Sequence, residues 1–271
     1  IGTARSLLQS DLATRALYLS PAIFVFGSAR LSNARAIDID YNFYAGATDA
    51  QTQRLPYFAH PEFYRCGWHR IVKSTRCQER IRRIFFAGTA NATAYREKFR
   101  FPIMSRSEIF ETVFLQFRGR IGADLASSDK IIMITTDNPS DKLSKHVLDQ
   151  NQYIECMSRS NFFLCPPGWL MPHSHNIIEA MSCGAIPITN YGDFMDPPLI
   201  HGVNSLRFET RNQLVEAFDI ALAMPLDRIE WMRRKVVEYY ETHLDPVCVG
   251  NMLRARLPSI SRLLVNDESG R

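Results

Sequence analysis

Glu179 is the carboxylate whose neighbours say most about chemistry. It belongs to the stretch Phe162-Phe163-Leu164-Cys165-Pro166-Pro167-Gly168, followed by Ser174-His175-Asn176-Ile177-Ile178-Glu179-Ala180-Met181-Ser182-Cys183-Gly184-Ala185-Ile186-Pro187-Ile188-Thr189. That order reads as a buried strand, a proline and glycine loop, a helix bearing one acid, a helix-ending glycine and a second buried strand. A helix that opens near Ser174, at the carboxyl end of a parallel strand, turns the N–H groups of Ser174, His175, Asn176 and Ile177 toward a ligand and favours an anion there. Glu179, about one turn further in, is placed to accept hydrogen bonds from vicinal hydroxyls such as those of a ribose. The plainer alternative is an acid that complements the helix dipole. Pro167 and Gly168 contribute geometry: the prolines hold the loop open and the glycine admits a ligand close to the backbone.

His173 and His175 flank Ser174 and supply cations that titrate near pH 6.5. His-x-His also raises metal binding, yet no further Cys or His pair stands nearby at ligand spacing, so no metal is expected. The run Arg83-Ile84-Phe85-Phe86-Ala87-Gly88 reads as a strand ended by glycine. In the loop after Gly88, Thr89 and Asn91 offer donors to phosphate or sugar oxygens, and Arg96 adds charge. A group transfer that inverts a carbon centre needs a base to take the acceptor proton. Asp38, Asp40, His60 and His69 are the candidates, Asp40 first because it stands at an expected strand end before an aromatic loop, and His60 second.

Those residues need an α/β frame. Apolar spacing predicts a helix over 6–19, strands over 23–26 and 36–39, and a loop-like, aromatic stretch over 41–70 broken by Pro56 and Pro61. From residue 83 strands and helices alternate: a strand over 83–88, a helix over 105–121 with Ser105 and Glu108 as a capping box, a strand over 130–135, and a short helix over 152–159. After the Phe162 and Ile186 strands come a short strand over 205–208 and helices over 211–223, 227–242 and 246–264. Such alternation implies a parallel sheet covered on both faces. No Gly-x-Gly-x-x-Gly follows any expected strand, which counts against a dinucleotide cofactor.

The residues 150–190 resemble the donor-binding half of GT-B glycosyltransferases, most closely the exostosin-like families. In those, a strand ending in a Cys-Pro-x-Gly turn leads into a helix with Glu-Ala and then a Gly-x-x-Pro-Val/Ile strand; here Cys165-Pro166-Pro167-Gly168, Glu179-Ala180 and Gly184-Ala185-Ile186-Pro187-Ile188 take those places. Residues 83–245 follow the pattern more loosely. The resemblance implies a GT-B-like α/β fold: a Rossmann-like donor nucleotide-binding domain over 81–245, a small or reduced amino-terminal acceptor-side α/β region over 1–80, and a carboxyl-terminal helix over 246–271. It implies a sugar transferred from an activated nucleotide donor to a glycan, a lipid-linked or another hydroxyl acceptor, as in polysaccharide biosynthesis. UDP-sugars are the default donor and CMP-sugars the alternative. The nucleotide-sugar is then a substrate, no cofactor is required, and helix dipoles replace a metal at the leaving phosphate. Two departures stand out: exostosin-like sequences often carry Arg near His175, and the second glutamate of retaining glycogen-synthase-type enzymes, eight residues before Glu179, is here Met171. The rival readings are another Rossmann-type sugar-nucleotide enzyme and a non-catalytic nucleotide- or glycan-binding module.

Composition narrows the setting. The 271 residues are 46% hydrophobic, enough for an ordinary core, and a formal charge of +4 with interspersed acids gives no case for nucleic acid. No apolar run approaches the roughly 20 residues that span a bilayer. Cys165 and Cys183 in apolar segments favour reduced thiols and the cytosol, with peripheral contact at a membrane; a Cys66–Cys77 pair would instead suit an oxidising compartment such as the Golgi lumen.

Overall fold

The computed structural model describes residues 23–26, 36–40, 49–90, 101–122, 125, 130–135, 148–168 and 171–265. The helix expected over 6–19 and the candidates Asn91 and Arg96 lie outside them. Two units divide the chain: Ile1–Leu55 with Val249–Ser269 make one, and Pro56–Cys248 the other.

In the first unit, β1 (Ile23–Phe26), β2 (Ala36–Asp40) and β3 (Thr52–Arg54) form a parallel sheet with the last strand among the described residues, β10 (Arg262–Leu264), in the order β1-β2-β10-β3. Ile37, Ile260 and Leu263 are its buried centre. The carboxyl-terminal segment is therefore not one helix over 246–264. Its helix stops at Arg256 because Pro258 lacks the N–H that the next turn needs and disfavours helical backbone at Leu257. The chain then returns as β10.

In the second unit, 56–70 are more structured than the loop expected there, for the short helix α1 (Pro61–Arg65) and the start of α2 (Trp68–Thr75) fall within them. Phe63 and Val72 are buried in the same core as the larger sheet, which is why the boundary falls at Leu55–Pro56 and not near residue 80. The alternation then runs β4 (Arg82–Gly88), α3 (Arg106–Phe117), β5 (Ile121–Gly122), β6 (Ile131–Thr135), α4 (Gln150–Ser158), β7 (Ser160–Cys165), α5 (His175–Ser182), β8 (Ile186–Thr189), β9 (Leu206–Arg207), α6 (Arg211–Ala223) and α7 (Leu226–Tyr239). A π-turn, Tyr240–Leu244, ends α7, and α8 is Pro246–Arg256.

These six strands form an all-parallel sheet in the order β5-β6-β4-β7-β8-β9, with Ile84 opposite Ile131 on one side of β4 and Phe162 on the other. All five residues of β6 and all six of β7 are buried, as befits strands covered on both faces. Phe86 packs on Phe110 at 4.8 Å, and Phe117 of α3 on Phe218 of α6 at 5.1 Å. The chain passes from β4 to the edge strand β5 and back inward to β6 on one side, then crosses to β7 and continues to β8 and β9 on the other. Right-handed crossovers place helices on opposite faces when the direction of travel reverses in this way. The result is a Rossmann-like sheet whose strand order switches between β4 and β7.

Candidate functional site

At a reversal of strand order the two flanking loops part in opposite directions, leaving a crevice at the carboxyl ends of the strands. Here those loops begin at Gly88–Thr89 and Pro166–Gly168. Gly88 has φ +151°, a region that side-chain-bearing residues rarely adopt, so β4 can end in this manner only with glycine. Gly168 answers a different need. A Cβ there would run into the His173 carbonyl oxygen and stand 2.9 Å from that of Met171, because the loop doubles back so tightly that Gly168 N–H donates to the Pro172 carbonyl at 3.2 Å.

Arg106, which sequence reasoning passed over, ties these loops together. It follows the capping residue Ser105 in the first turn of α3 and is 6% exposed. Its guanidinium donates to the Pro167 carbonyl at 2.9 Å, the Thr89 carbonyl at 3.0 Å and the Pro166 carbonyl at 3.5 Å. It also reaches the Ser174 hydroxyl at 3.3 Å. One side chain thus spans the β4 loop, the β7 loop and the start of α5. A signal was present in the sequence: a cation in the first turn of a helix opposes the helix dipole and is kept there only for another partner.

The amino end of α5 stands over the β7 loop with Ser174 as its cap residue, in extended backbone and without a capping side-chain bond. Asn176, 9% exposed, keeps a buried amide oxygen with no hydrogen-bond partner. His173 is 2% exposed, and burial pushes its pKa down to about 4, against a hydrogen bond with the Phe194 backbone. It is neutral at physiological pH and supplies no fixed charge. His175 stacks on Tyr57 at 4.7 Å, with its Nδ1 2.7 Å from the Phe58 carbonyl and its Nε2 3.3 Å from the Tyr57 hydroxyl. The carbonyl can only accept, so Nδ1 carries the proton.

Glu179, expected to meet a ribose, is 3% exposed. Its Oε1 accepts the His60 backbone N–H at 3.0 Å, and the Tyr153 hydroxyl, also buried, hydrogen-bonds to the same carboxylate. Burial raises its pKa, with the His60 N–H, the nearby His175 and Tyr153 pulling the other way. In this arrangement Glu179 anchors the 56–60 segment to α5. His60 itself is exposed and caps α1, its Nδ1 accepting the Glu62 N–H at 3.2 Å. That contact occupies the lone pair a neutral imidazole would use as a base, leaving its proton on Nε2. The fold therefore brings Thr89, Pro167, Ser174 and Arg106 together, and separately gathers His60, His175, Glu179, Tyr57 and Tyr153. Asp40 ends β2 in the other unit. Tyr57 and Tyr153 carried no sequence signal beyond their aromatic character.

No group of three or more His, Cys, Asp or Glu side chains able to hold a metal occurs among the described residues. Cys66 and Cys77 are exposed free thiols, and no helix among the described residues is long and apolar enough to cross a membrane. No family model matches the chain, and no curated protein matches it significantly. The arrangement can receive an anion on backbone N–H groups between two loops of fixed shape. The imidazoles and carboxylate around it are engaged in holding the protein.

Proposed function

We propose that the Pro56–Cys248 unit binds a nucleotide diphosphate at the β4–β7 switch point, as the donor site of a GT-B-like glycosyltransferase that moves a sugar to a hydroxyl acceptor. The observation that carries this reading is the meeting of the Gly88 and Pro166–Gly168 loops with the α5 amino end through Arg106, at the one edge where the strand order reverses. Pyrophosphate oxygens would lie on the α5 N–H groups, and the carbonyl-bound guanidinium would hold both loops at the spacing the ligand needs. UDP-sugars are the first donors to try, CMP-sugars the second.

A second reading, a nucleotide-binding module without transfer, is favoured by one observation: His173, His175, His60 and Glu179 each have at least one polar atom committed to a protein group. Calorimetric titration with UDP, GDP and CMP, followed by turnover of the corresponding sugar nucleotides, separates the two. Binding with turnover supports the transferase, and binding without turnover the module. Failure of every nucleotide to bind would remove both.

A further inference from the structure

The opposite edge of the same sheet, where the strands begin, carries a second feature that owes nothing to the nucleotide reading. The helix α5 ends there, and the carbonyls of its last residue, of the capping residue and of the glycine after it are each taken by a different arginine. Arg76 Nε donates to Ser182 at 2.8 Å, Arg80 Nη2 to Cys183 at 2.7 Å and Arg233 Nε to Gly184 at 3.2 Å. Arg80 also reaches the Ser160 carbonyl at 2.7 Å, where β7 starts. Three guanidiniums therefore converge on one turn of backbone and line a cleft of about 960 Å³ between the α2–β4 connection and α7.

Capping a helix end by cations is ordinary chemistry, since the carbonyls there form the negative end of the dipole. It does not account for the whole cluster. Arg76 pairs with Glu241 at 2.7 Å and Arg233 with Glu230, whereas Arg80 has no ion-pairing carboxylate among the described residues. The Arg76 and Arg233 side chains are only 11% exposed, so water screens the mutual repulsion of the three charges poorly. Accordingly, burial first and the Arg233 charge second bring Arg80 down to about 9. Two donors are also left over: Arg80 Nε and Arg76 Nη2 are buried with no hydrogen-bond acceptor. Glu79 and Arg234 also line the cleft, and Glu238 is already paired with Lys235.

We propose that this cleft is an oxyanion site that takes a phosphate group, free or as a monoester, on Arg76, Arg80 and Arg233. A tetrahedral oxyanion offers several acceptor oxygens in a small volume and a charge opposite to that of Arg80, the guanidinium of the three without an ion-pairing carboxylate among the described residues. Planar guanidiniums are the side chains best matched to that geometry. The apolar wall supplied by Leu226 and Val237 leaves room beside the anion for an ester substituent.

The test is calorimetric titration of the full chain with inorganic phosphate, and in a second arm with glycerol phosphate, in chloride of matched ionic strength. Saturable one-site binding is expected. Glu241→Gln removes the carboxylate that competes for Arg76 and should tighten binding by about 10-fold, the worth of one charged hydrogen bond. Arg80→Lys keeps the charge but loses the Nε donor and the planar fork, and should weaken binding by about 10-fold. Should Arg80→Lys fail to fold, Glu241→Gln alone decides, because its carboxylate is 43% exposed and pairs only at the surface. Equal affinity in both arms identifies a phosphate carried on a larger molecule as a fit; binding of inorganic phosphate alone identifies the free ion. Absence of saturable binding in both arms, or binding whose affinity ignores both substitutions, would overturn the proposal, the latter by placing the ion elsewhere.

Discussion

Replacing Arg106 by lysine tests whether one buried guanidinium sets the shape of the switch-point crevice. Arginine there makes two short bonds, to Pro167 and Thr89, and two longer ones, to Pro166 and Ser174. An ammonium in the same space can keep the charge and one short bond, but it cannot face two loops and the α5 cap together. One short charge-assisted bond is lost outright, at about 1.5–3 kcal/mol, and the weaker pair adds roughly 1 kcal/mol. The unit should therefore lose about 3 kcal/mol of unfolding free energy. For a unit of this size, that is a fall of about 6–12 °C in Tm. The assay is thermal unfolding followed by near-ultraviolet circular dichroism, paired with calorimetric titration of UDP at a temperature where parent and variant are both folded. Under the proposed function UDP affinity should fall by at least about 10-fold, since the loops no longer share one tie. A variant that melts within about 1 °C of the parent would refute the reasoning, because it would mean the guanidinium is not the tie between the loops.

Gly168→Ala should destabilise the unit and abolish UDP binding, because the new Cβ meets the His173 and Met171 carbonyls and forces the loop open; unchanged melting and titration curves would contradict this. His173, held at about 4 by burial, binds its proton more readily when unfolded, so its contribution to stability is intact above about pH 6.5 and declines as pH falls toward 4. Denaturant unfolding should show the parent losing about 2 kcal/mol more than His173→Gln between pH 7 and pH 5, and parallel profiles would sink the assignment. The raised Glu179 works in the opposite sense, its contribution falling as pH rises above the usual carboxylate range, so the comparison is made against the His173 variant rather than read from the parent alone. Glu179→Gln should melt at or above the parent at pH 7, since the amide oxygen can still accept the His60 N–H without a buried charge, and UDP affinity should change less than about threefold. A tenfold loss of UDP affinity with unchanged melting would return Glu179 to the ribose.

The larger sheet was legible because its strands are buried on both faces and are punctuated by turn residues. Expected strands over 83–88, 130–135 and 186–189 match β4, β6 and β8 to within a residue. The Ser105–Glu108 capping box is present as read. What escaped was short or non-local. The strands β3, β5 and β10 have only two or three residues each, too few for a period to register, and exist through pairing with distant partners. Three of the four partners of Arg106 are backbone carbonyls, which leave no trace in side-chain identity. Glu179 was read for its charge and helical position, while the segment that covers it, Tyr57 to His60, lies more than a hundred residues earlier in the chain.

Guanidiniums grip α5 at both ends: Arg106 reaches the hydroxyl at its cap, and Arg76, Arg80 and Arg233 hold the carbonyls at its other end. Eight residues make a rod of about 12 Å, too stiff to stretch, so it transmits any push along its length. Travel at Ser174 that the helix carried as a rigid body would change the arginine contacts at Ser182–Gly184. Were both rims to hold ligands, any coupling carried along α5 would act with equal size in the two directions.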